Sequence, residues 1–482
     1  MKRFIITAIL LSLLGSLHAA LAASAPNFIV IFCDNLGYGD VGCFNPKARQ
    51  PTPRIDRMAR EGMKFTHAYS AAPVCTPSRA AMMTGCYPRR VGLDLAPGQG
   101  LVLRPAAAYG LNPDEITIAE ALKPQGYATM CIGKWHLGDQ PEFLPTRQGF
   151  DEYFGIPYSD NMQTDPKRNF PTMPVMEGET VIAANDDLSL FTQQGTERAL
   201  KFIEQNRDRP FFLYFPQITP GSTQKPPVSP AFRGKSGQGE WGDSVMELDW
   251  STGQILDKLD ALGLSENTLV IWTNDNGGPF ANKGIGSNLP LKGNAYSVAE
   301  GGMRTPFIAR WPGRIRAGTS CAEVITLMDM LPTLAVLSGG KTPADRIMDG
   351  HDIRPLLFSE PGALSPYDAF FYYYTTQLQA VRSGPWKLYL PGAKTDGAIS
   401  GKAGGKTAPK SGRLYHLLDD PGENDDQFAR QPEIVKRLTA HVEAARADLG
   451  EGNRPGKGVR PIGKVENPTP RLLKTMPASS VK

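Results

Sequence analysis

Cysteine, proline, serine and arginine fall together at Cys75-Thr76-Pro77-Ser78-Arg79, and their order carries chemistry. Pro77 suits the first turn of a helix and Thr76 its cap. Residue 75 is therefore expected at a helix N-terminus, where free N–H groups and the helix dipole attract anions. A nucleophile that must meet an anion gains from that place. Two polar loops offer a second kind of chemistry: Asp34-Asn35-Leu36-Gly37-Tyr38-Gly39-Asp40 and Asn274-Asp275-Asn276-Gly277-Gly278. Asp, Asn and Gly favour ordinary turns, but both loops follow apolar runs. Together Asp34, Asn35, Asp275 and Asn276 present hard oxygen ligands, which suit calcium or magnesium and not zinc. A third segment is Gly133-Lys134-Trp135-His136-Leu137-Gly138. Residues two apart in an extended segment point to the same side, so Lys134 and His136 reach one site. They bring a cation for an anionic oxygen and a base whose pKa lies near neutrality.

These residues need a scaffold. Asn27 to Cys33, Phe211 to Phe215 and Thr268 to Thr273 are short, nearly continuous apolar runs, the pattern of strands buried on both faces of a parallel sheet. Between the last two lies an amphipathic helix, with Val245, Leu248, Ile255, Leu259 and Leu262 on one face and Gly263 closing it. Alternating strand and helix predict an α/β fold with a mostly parallel sheet. Ligands of such sheets sit at the carboxyl ends of strands, where both acidic loops fall. Proline and glycine cluster at Ser359 to Pro366 and mark a boundary. Beyond it, strand-like runs at Ala369–Tyr374, Leu378–Ser383 and Trp386–Leu390, then a helix near Pro432–Arg446, predict a small antiparallel sheet with one helix. The expected division is a first domain over 26–362, an α+β subdomain over 366–450 and a tail over 451–482 that wraps the surface or is disordered.

The chain has 482 residues, 41% of them hydrophobic, which supports a large core without staples. A net charge of +4 implies no nucleic-acid partner. Residues 1–22 read as a signal peptide: Lys2 and Arg3, the apolar stretch Phe4 to Leu17, then Ala20-Leu21-Ala22 as a cleavage pattern. The mature protein is expected to be secreted or periplasmic and not membrane-bound. The six cysteines show neither CxxC pairing nor zinc spacing.

Cys75-Thr76-Pro77-Ser78-Arg79 matches the C-x-P-S-R signature of the formylglycine-dependent sulfatases. The first acidic loop resembles that family's D-D-x-G-Y-G-D, the second its D-N-G, and residues 133–138 its G-K-W-H-L-G. Leu291-Lys292-Gly293 ahead of Glu300-Gly301-Gly302-Met303-Arg304-Thr305-Pro306 resembles G-K-G-x-x-x-E-G-G-x-R-x-P, here with a longer loop. Gly242 to Asp249 and Phe154 to Ser159 look closest to the arylsulfatase A branch. The resemblance spans Asn27 to about Arg446. It implies an alkaline-phosphatase-like fold with a small C-terminal antiparallel subdomain, and hydrolysis of sulfate esters. It implies that a formylglycine-generating enzyme oxidises Cys75 to an aldehyde, whose hydrate attacks sulfur. Asp34, Asn35, Asp275, Asn276 and residue 75 would hold one calcium ion. Arg79, Lys134 and His136 would be catalytic, Lys292 would bind sulfate and help protonate the departing alcohol, and Ser159 would line the substrate pocket. The partner is then a sulfated small molecule or glycan.

The chain departs from the family pattern at several positions. Asn35 replaces the usual second aspartate, Cys86 the arginine of T-G-R, and the family histidine after the strand at Phe211–Phe215 is missing, Gly221 standing in the matching place. These departures keep open a catalytically weak homologue that only binds sulfated glycans. A phosphomonoesterase or phosphodiesterase of the same superfamily needs several histidines for zinc, and this chain has six in all: His18, His67, His136, His351, His416 and His441.

Overall fold

The computed structural model describes residues 25–393 and 410–474. The signal-peptide reading over 1–22 and the last residues of the tail lie outside the described residues. Among the described residues, no helix is long and apolar enough to cross a membrane.

Strand β1 (Asn27–Asp34) is buried at all eight positions, and its side chains alternate between two cores. Phe28, Val30 and Phe32 join one, Ile29, Ile31 and Cys33 the other. That alternation is the period of a strand with both faces covered, and it explains the unbroken apolar run. The chain continues through β2 (Met63–Tyr69), β3 (Tyr109–Gly110), β4 (Ala128–Lys134), β5 (Glu152–Ile156), β6 (Pro174–Glu177), β7 (Thr180–Ala184), β8 (Phe211–Pro220), β9 (Thr268–Asn274), β10 (Arg304–Arg310), β11 (Thr319–Cys321) and β12 (Ile325–Thr326). Apart from β3 these form one 11-stranded sheet, ordered β11-β2-β10-β9-β1-β8-β4-β5-β6-β7 with β12 also on β2. Its centre, β9-β1-β8-β4-β5, is parallel. Antiparallel β10 and the β6–β7 hairpin flank that centre.

Helix α1 (Pro53–Glu61) follows β1, and α2 (Cys75–Thr84) follows β2. On the Ile29 face pack α1, α3 (Phe191–Gln205) and α4 (Gly239–Ala261); on the Phe28 face lies α2 through Ala80, Met82 and Met83. Because β1, β4, β8 and β9 run parallel, their carboxyl ends open on one edge. Asp34, Lys134, Gly221 and Asp275 all fall there.

A second, four-stranded antiparallel sheet joins β13 (Phe370–Tyr374), β14 (Gln377–Ser383), β15 (Trp386–Tyr389) and β16 (Arg413–His416), with α5 (Pro432–Asp448) following them. After α5 the chain returns to the large domain. Gly463–Lys464 pairs with β3, and Arg460 binds Glu115 and Cys86. A guanidinium from the tail thus reaches residue 86, where the family signature has its own arginine.

Candidate active site

Cys75 opens α2, so the helix terminus meets the edge of the sheet. Thr76 is not its cap: Val74 stands at the N-cap position, while Thr76 Oγ1 donates to the His136 carbonyl at 3.0 Å and accepts from Leu103 N. The threonine instead ties the helix to the segment that follows β4. Ser78 Oγ binds the Asp275 carbonyl, which ties the same turn to the end of β9.

Around Cys75 the sequence-selected residues converge. Arg79, one turn into α2, is fully buried. Its Nη2 bridges Asp34 Oδ1 and Asp275 Oδ2, each at 2.9 Å, and its Nη1 reaches the Lys134 carbonyl. Lys134 Nζ donates to both Asp34 oxygens at 2.8 and 2.9 Å and to Ser159 Oγ at 3.1 Å. Burial pushes the Asp34 carboxyl up, but Lys134 and Arg79 override it and hold the group well below the usual carboxylate range. Asp275 goes the other way: burial and the Asp34 charge raise it. The Cys75 thiol is raised too, by burial and then by the two carboxylates against the pull of Lys134. It therefore stays protonated and is a poor nucleophile as it stands.

His136 sits in a left-handed conformation, φ 60°, which is uncommon and costly outside glycine. Its Nε2 lies 2.9 Å from the Leu103 carbonyl. A carbonyl only accepts, so Nε2 carries the proton and Nδ1 is left as a buried lone pair with no partner. Burial, with Lys134 and Arg79 adding to it, pushes the imidazolium pKa far down. His136 is a neutral base.

The metal-ligand set fits a hard cation. Ligand atoms of Asp34, Cys75 and Asp275 lie within 4.8 Å of one another. Asn35 and Asn276 sit beside them, joined through Asn276 Nδ2 and Asn35 Oδ1. Asn276 Oδ1 is buried with no hydrogen-bond partner. A buried amide oxygen left unpaired is expensive, and a cation would satisfy it.

Two expectations meet a different arrangement. Lys292 is exposed and does not reach this cluster. Its Nζ donates to the Glu423 carbonyl at 2.9 Å and lies over the Tyr415 ring. Gly293 turns the chain at φ 83° and Lys292 O accepts from Gly301 N, which directs the side chain to the small sheet. Gly221 leaves no room for a histidine: φ is 79°, and a Cβ there would lie 2.6 Å from Asp160 Oδ2. His67 and His351 do not replace it. The first contacts Thr66, and the second lies against Tyr367.

Sequence reasoning missed Asp160, Ser222 and Tyr296. Asp160 Oδ1 accepts from Ser159 Oγ and Ser222 N. Ser222 Oγ accepts from Asn35 Nδ2 at 2.8 Å. Tyr296 N donates to the Pro73 carbonyl, two residues before Cys75. Only adjacency to Ser159 and Gly221 could have signalled the first two, and nothing local signalled Tyr296.

The family model described as Sulfatase matches residues 26–340. The chain is a sulfatase. A second model, the C-terminal region of aryl-sulfatase, matches residues 365–458. Human arylsulfatase A is 39% identical to this sulfatase over 89% of each chain. Mouse steryl-sulfatase is 34% identical over 89% of this chain and 83% of its own. Among solved structures, the sulfatase PsFucS1 from Pseudoalteromonas sp. superposes with a TM-score of 0.75 at 27% identity, covering 90% of this chain and 93% of that one. The enzyme is accordingly a sulfuric ester hydrolase with the alkaline-phosphatase-like fold, and it hydrolyses sulfate esters.

Proposed function

We propose that this sulfatase acts through a formylglycine made from Cys75, with a calcium ion held by Asp34, Asn35, Asp275, Asn276 and residue 75. The observation that carries the reading is the convergence on residue 75: Cys75 is buried at the head of α2, with ligand atoms of Asp34 and Asp275 within 4.8 Å of its Sγ and of one another. A formylglycine hydrate supplies a hydroxyl nucleophile there, and the cation supplies charge for the substrate's sulfuryl oxygens.

The remaining roles fall to this chain's own side chains. Lys134 and Arg79 neutralise the carboxylates and keep them aimed inward. Lys134 and Ser159 share a hydrogen bond at the pocket wall and orient the sulfate. His136 Nδ1 takes the proton when the sulfated residue 75 collapses and releases sulfate. The substrate is a sulfated small molecule or glycan. Relatives named arylsulfatase A, steryl-sulfatase and N-acetylgalactosamine-6-sulfatase support that range. Maturation by a formylglycine-generating enzyme and export past residues 1–22, to the outside or the periplasm, complete the reading.

The test is mass spectrometry of the tryptic peptide ending at Arg79, beside turnover of 4-nitrophenyl sulfate. The active protein is expected to lack the thiol mass and to carry an aldehyde. Full activity with unmodified Cys75 would overturn the mechanism. Tight binding of sulfated glycans by matured protein without turnover would favour the binding-only homologue, a reading encouraged by the diverted Lys292.

A further inference from the structure

The family signatures all lie before residue 454, yet the stretch 454–474 carries a charge that the rest of the chain lacks. It holds six basic side chains, Arg454, Lys457, Arg460, Lys464, Arg471 and Lys474, against one acid, Glu466. That is +5 in a chain whose total is +4, which leaves the rest at −1. Arg460 is taken up by Glu115. Arg454, Lys457, Lys464 and Lys474 are exposed and have no ion-pair partner among the described residues. Like charges gathered on one stretch repel one another, and here the protein supplies no counter-charge for them.

Hydrogen bonds lay this stretch along the rim of the active site. Gly463–Lys464 pairs with β3, and Val465 N donates to Ala108 O at 2.8 Å. Farther on, Thr469 N donates to Gln140 Oε1 at 2.9 Å and Thr469 O accepts from Gln140 Nε2 at 3.0 Å. Arg471 Nε donates to Asp139 O at 2.6 Å. Both underlying segments belong to the surroundings of His136. Asp139 and Gln140 follow it in the chain, past the carboxyl end of β4. The segment ahead of β3 supplies Leu103, whose carbonyl accepts from His136 Nε2. Ala106 N donates to Asp139 Oδ2 and so joins the two segments. Leu103 is buried and Arg104 is exposed, so the chain passes from the site to the surface within one residue. Arg104 adds a further cation there, again with no ion-pair partner among the described residues.

We propose that residues 464–474, with Arg104, form an exosite for a polymeric, multiply sulfated glycan, and hold sulfates that neighbour the one being cleaved. The proposal rests on the sulfated-substrate reading of the same site and narrows it to a chain that carries several sulfates. A small ester fills the pocket at Cys75 and gains nothing from cations outside it. A sulfated chain brings repeated anions, and a row of fixed cations of one sign concentrates such a ligand and speeds its capture. Arg104 can give two parallel N–H bonds to one oxyanion, and Lys464 and Lys474 act as point charges on flexible stems. Arg471 uses Nε on Asp139 O and keeps both Nη groups for the ligand. A single-stranded nucleic acid would meet the same charge, but such ligands are held by aromatic side chains on which bases stack. Residues 454–474 contain no Phe, Tyr or Trp.

The test compares the matured wild type with a triple variant, Arg104→Gln, Lys464→Gln and Lys474→Gln, whose three side chains are exposed and outside the pocket. The polymeric probe is dextran sulfate. Its Kd by calorimetry should rise about tenfold in the variant, roughly what three exposed ion pairs supply. Most of that difference should vanish in about 1 M salt, where the Debye length falls to about 3 Å. Dextran sulfate should also raise the wild type's KM for 4-nitrophenyl sulfate, because a chain on the rim covers the pocket, and should raise it less in the variant. Without the polymer, kcat and KM for 4-nitrophenyl sulfate should be the same in both proteins. Equal affinity of the two proteins for dextran sulfate, binding that leaves KM untouched, or tighter binding of a single-stranded oligonucleotide of equal charge would overturn the proposal. A wild type that binds dextran sulfate but turns over no sulfate ester would instead sink the reading beneath it.

Discussion

Around Asp34 and around Glu300 the chain buries carboxylates against cations, and the two clusters differ in what is left over. At Glu300, Oε1 accepts from Tyr372 and Lys387, and Oε2 accepts from Tyr69. Its neighbour Glu423 accepts from Tyr389, Lys387 and the Glu300 backbone. Lys387 Nζ is shared among Val298 O, Glu300 and Glu423. Every carboxylate oxygen has a donor. This cluster joins the turn before β10 to the small sheet, and its carboxylates are saturated, with one buried donor left over, Arg304 Nη1, 3.7 Å from Glu300 Oε2. At Asp34 the ion pairs are as short, yet Arg79 Nε, His136 Nδ1, Asn276 Oδ1 and Asp160 Oδ2 are buried without partners. Native interiors seldom tolerate that. The saturated cluster holds two layers together. The unsaturated one keeps atoms in reserve for a cation, a proton and a substrate, at a cost the rest of the fold offsets.

That contrast can be broken by substitution, and the largest effect is expected at the site. His136→Ala should lower turnover by about 10²–10⁴-fold, the usual loss of a general base. Melting temperature should fall as well, because the buried ring and its Nε2 bond to the Leu103 carbonyl are lost. Turnover is therefore read per folded molecule, and unchanged turnover would mean that the residue is not the base.

The interdomain cluster should respond the other way. Lys387→Met leaves Glu300 and Glu423 buried beside one another and should cost about 3–5 kcal/mol of stability, read by chemical denaturation, with the activity per folded molecule retained. Its pH signature has a definite sign. Burial pushes the Glu300 carboxyl up, and Lys387, Arg304 and Arg382 more than offset it, so the folded pKa is depressed. The resulting stability is present above the ordinary carboxylate pKa and is lost as pH falls through the folded value. Lys387→Met should therefore unfold at a higher pH during acid titration than the wild type. An unchanged acid midpoint would show that Lys387 does not hold Glu300 ionised.

A smaller effect is expected at the turn beside Asp160. Gly221→Ala must hold φ near 79° with its Cβ 2.6 Å from Asp160 Oδ2. Left-handed strain of this kind costs about 1–3 kcal/mol. A histidine there would meet the same obstacle, and the Ile218 carbonyl at 2.8 Å besides, so Gly221→His combined with Asp160→Gly should recover only part of the stability lost by Gly221→His alone. Equal stability of the two would show that the contact is not what excludes a side chain.

The finest test is Asn35→Asp. A third carboxylate beside Asp34 and Asp275 should tighten calcium by about tenfold, since ligand charge tunes affinity. It should also destabilise the chelated protein through like-charge repulsion. Calorimetry with and without calcium reads both. Equal or weaker affinity would mean that residue 35 is not a ligand or that its amide is required.

Much of this enzyme was legible in one dimension. Continuous apolar runs at Asn27–Cys33, Phe211–Phe215 and Thr268–Thr273 can be buried on both faces only in a central parallel sheet, and they form its core. Loop residues at the ends of such strands must share an edge, so Asp34, Asn35, Asp275 and Asn276 were bound to converge; that Cys75, Arg79, Lys134 and His136 join them was implied by the family resemblance. The class of the small sheet followed from its short strand-like runs at Ala369–Tyr374, Leu378–Ser383 and Trp386–Leu390. Local spacing could not tell which way a long side chain leaves a loop. The turn at Gly293 sends Lys292 to Glu423, while the backbone of Ala295 and Tyr296 bonds to Gly278 and Pro73, far away in the chain. Nor could spacing reveal that Asp160 occupies the room beside Gly221, or that Arg460 returns to Cys86. Periodicity reports burial and strand direction, which are local consequences of side-chain pattern. Pairing across loops is a property of the packed chain, and only the tertiary structure decides it.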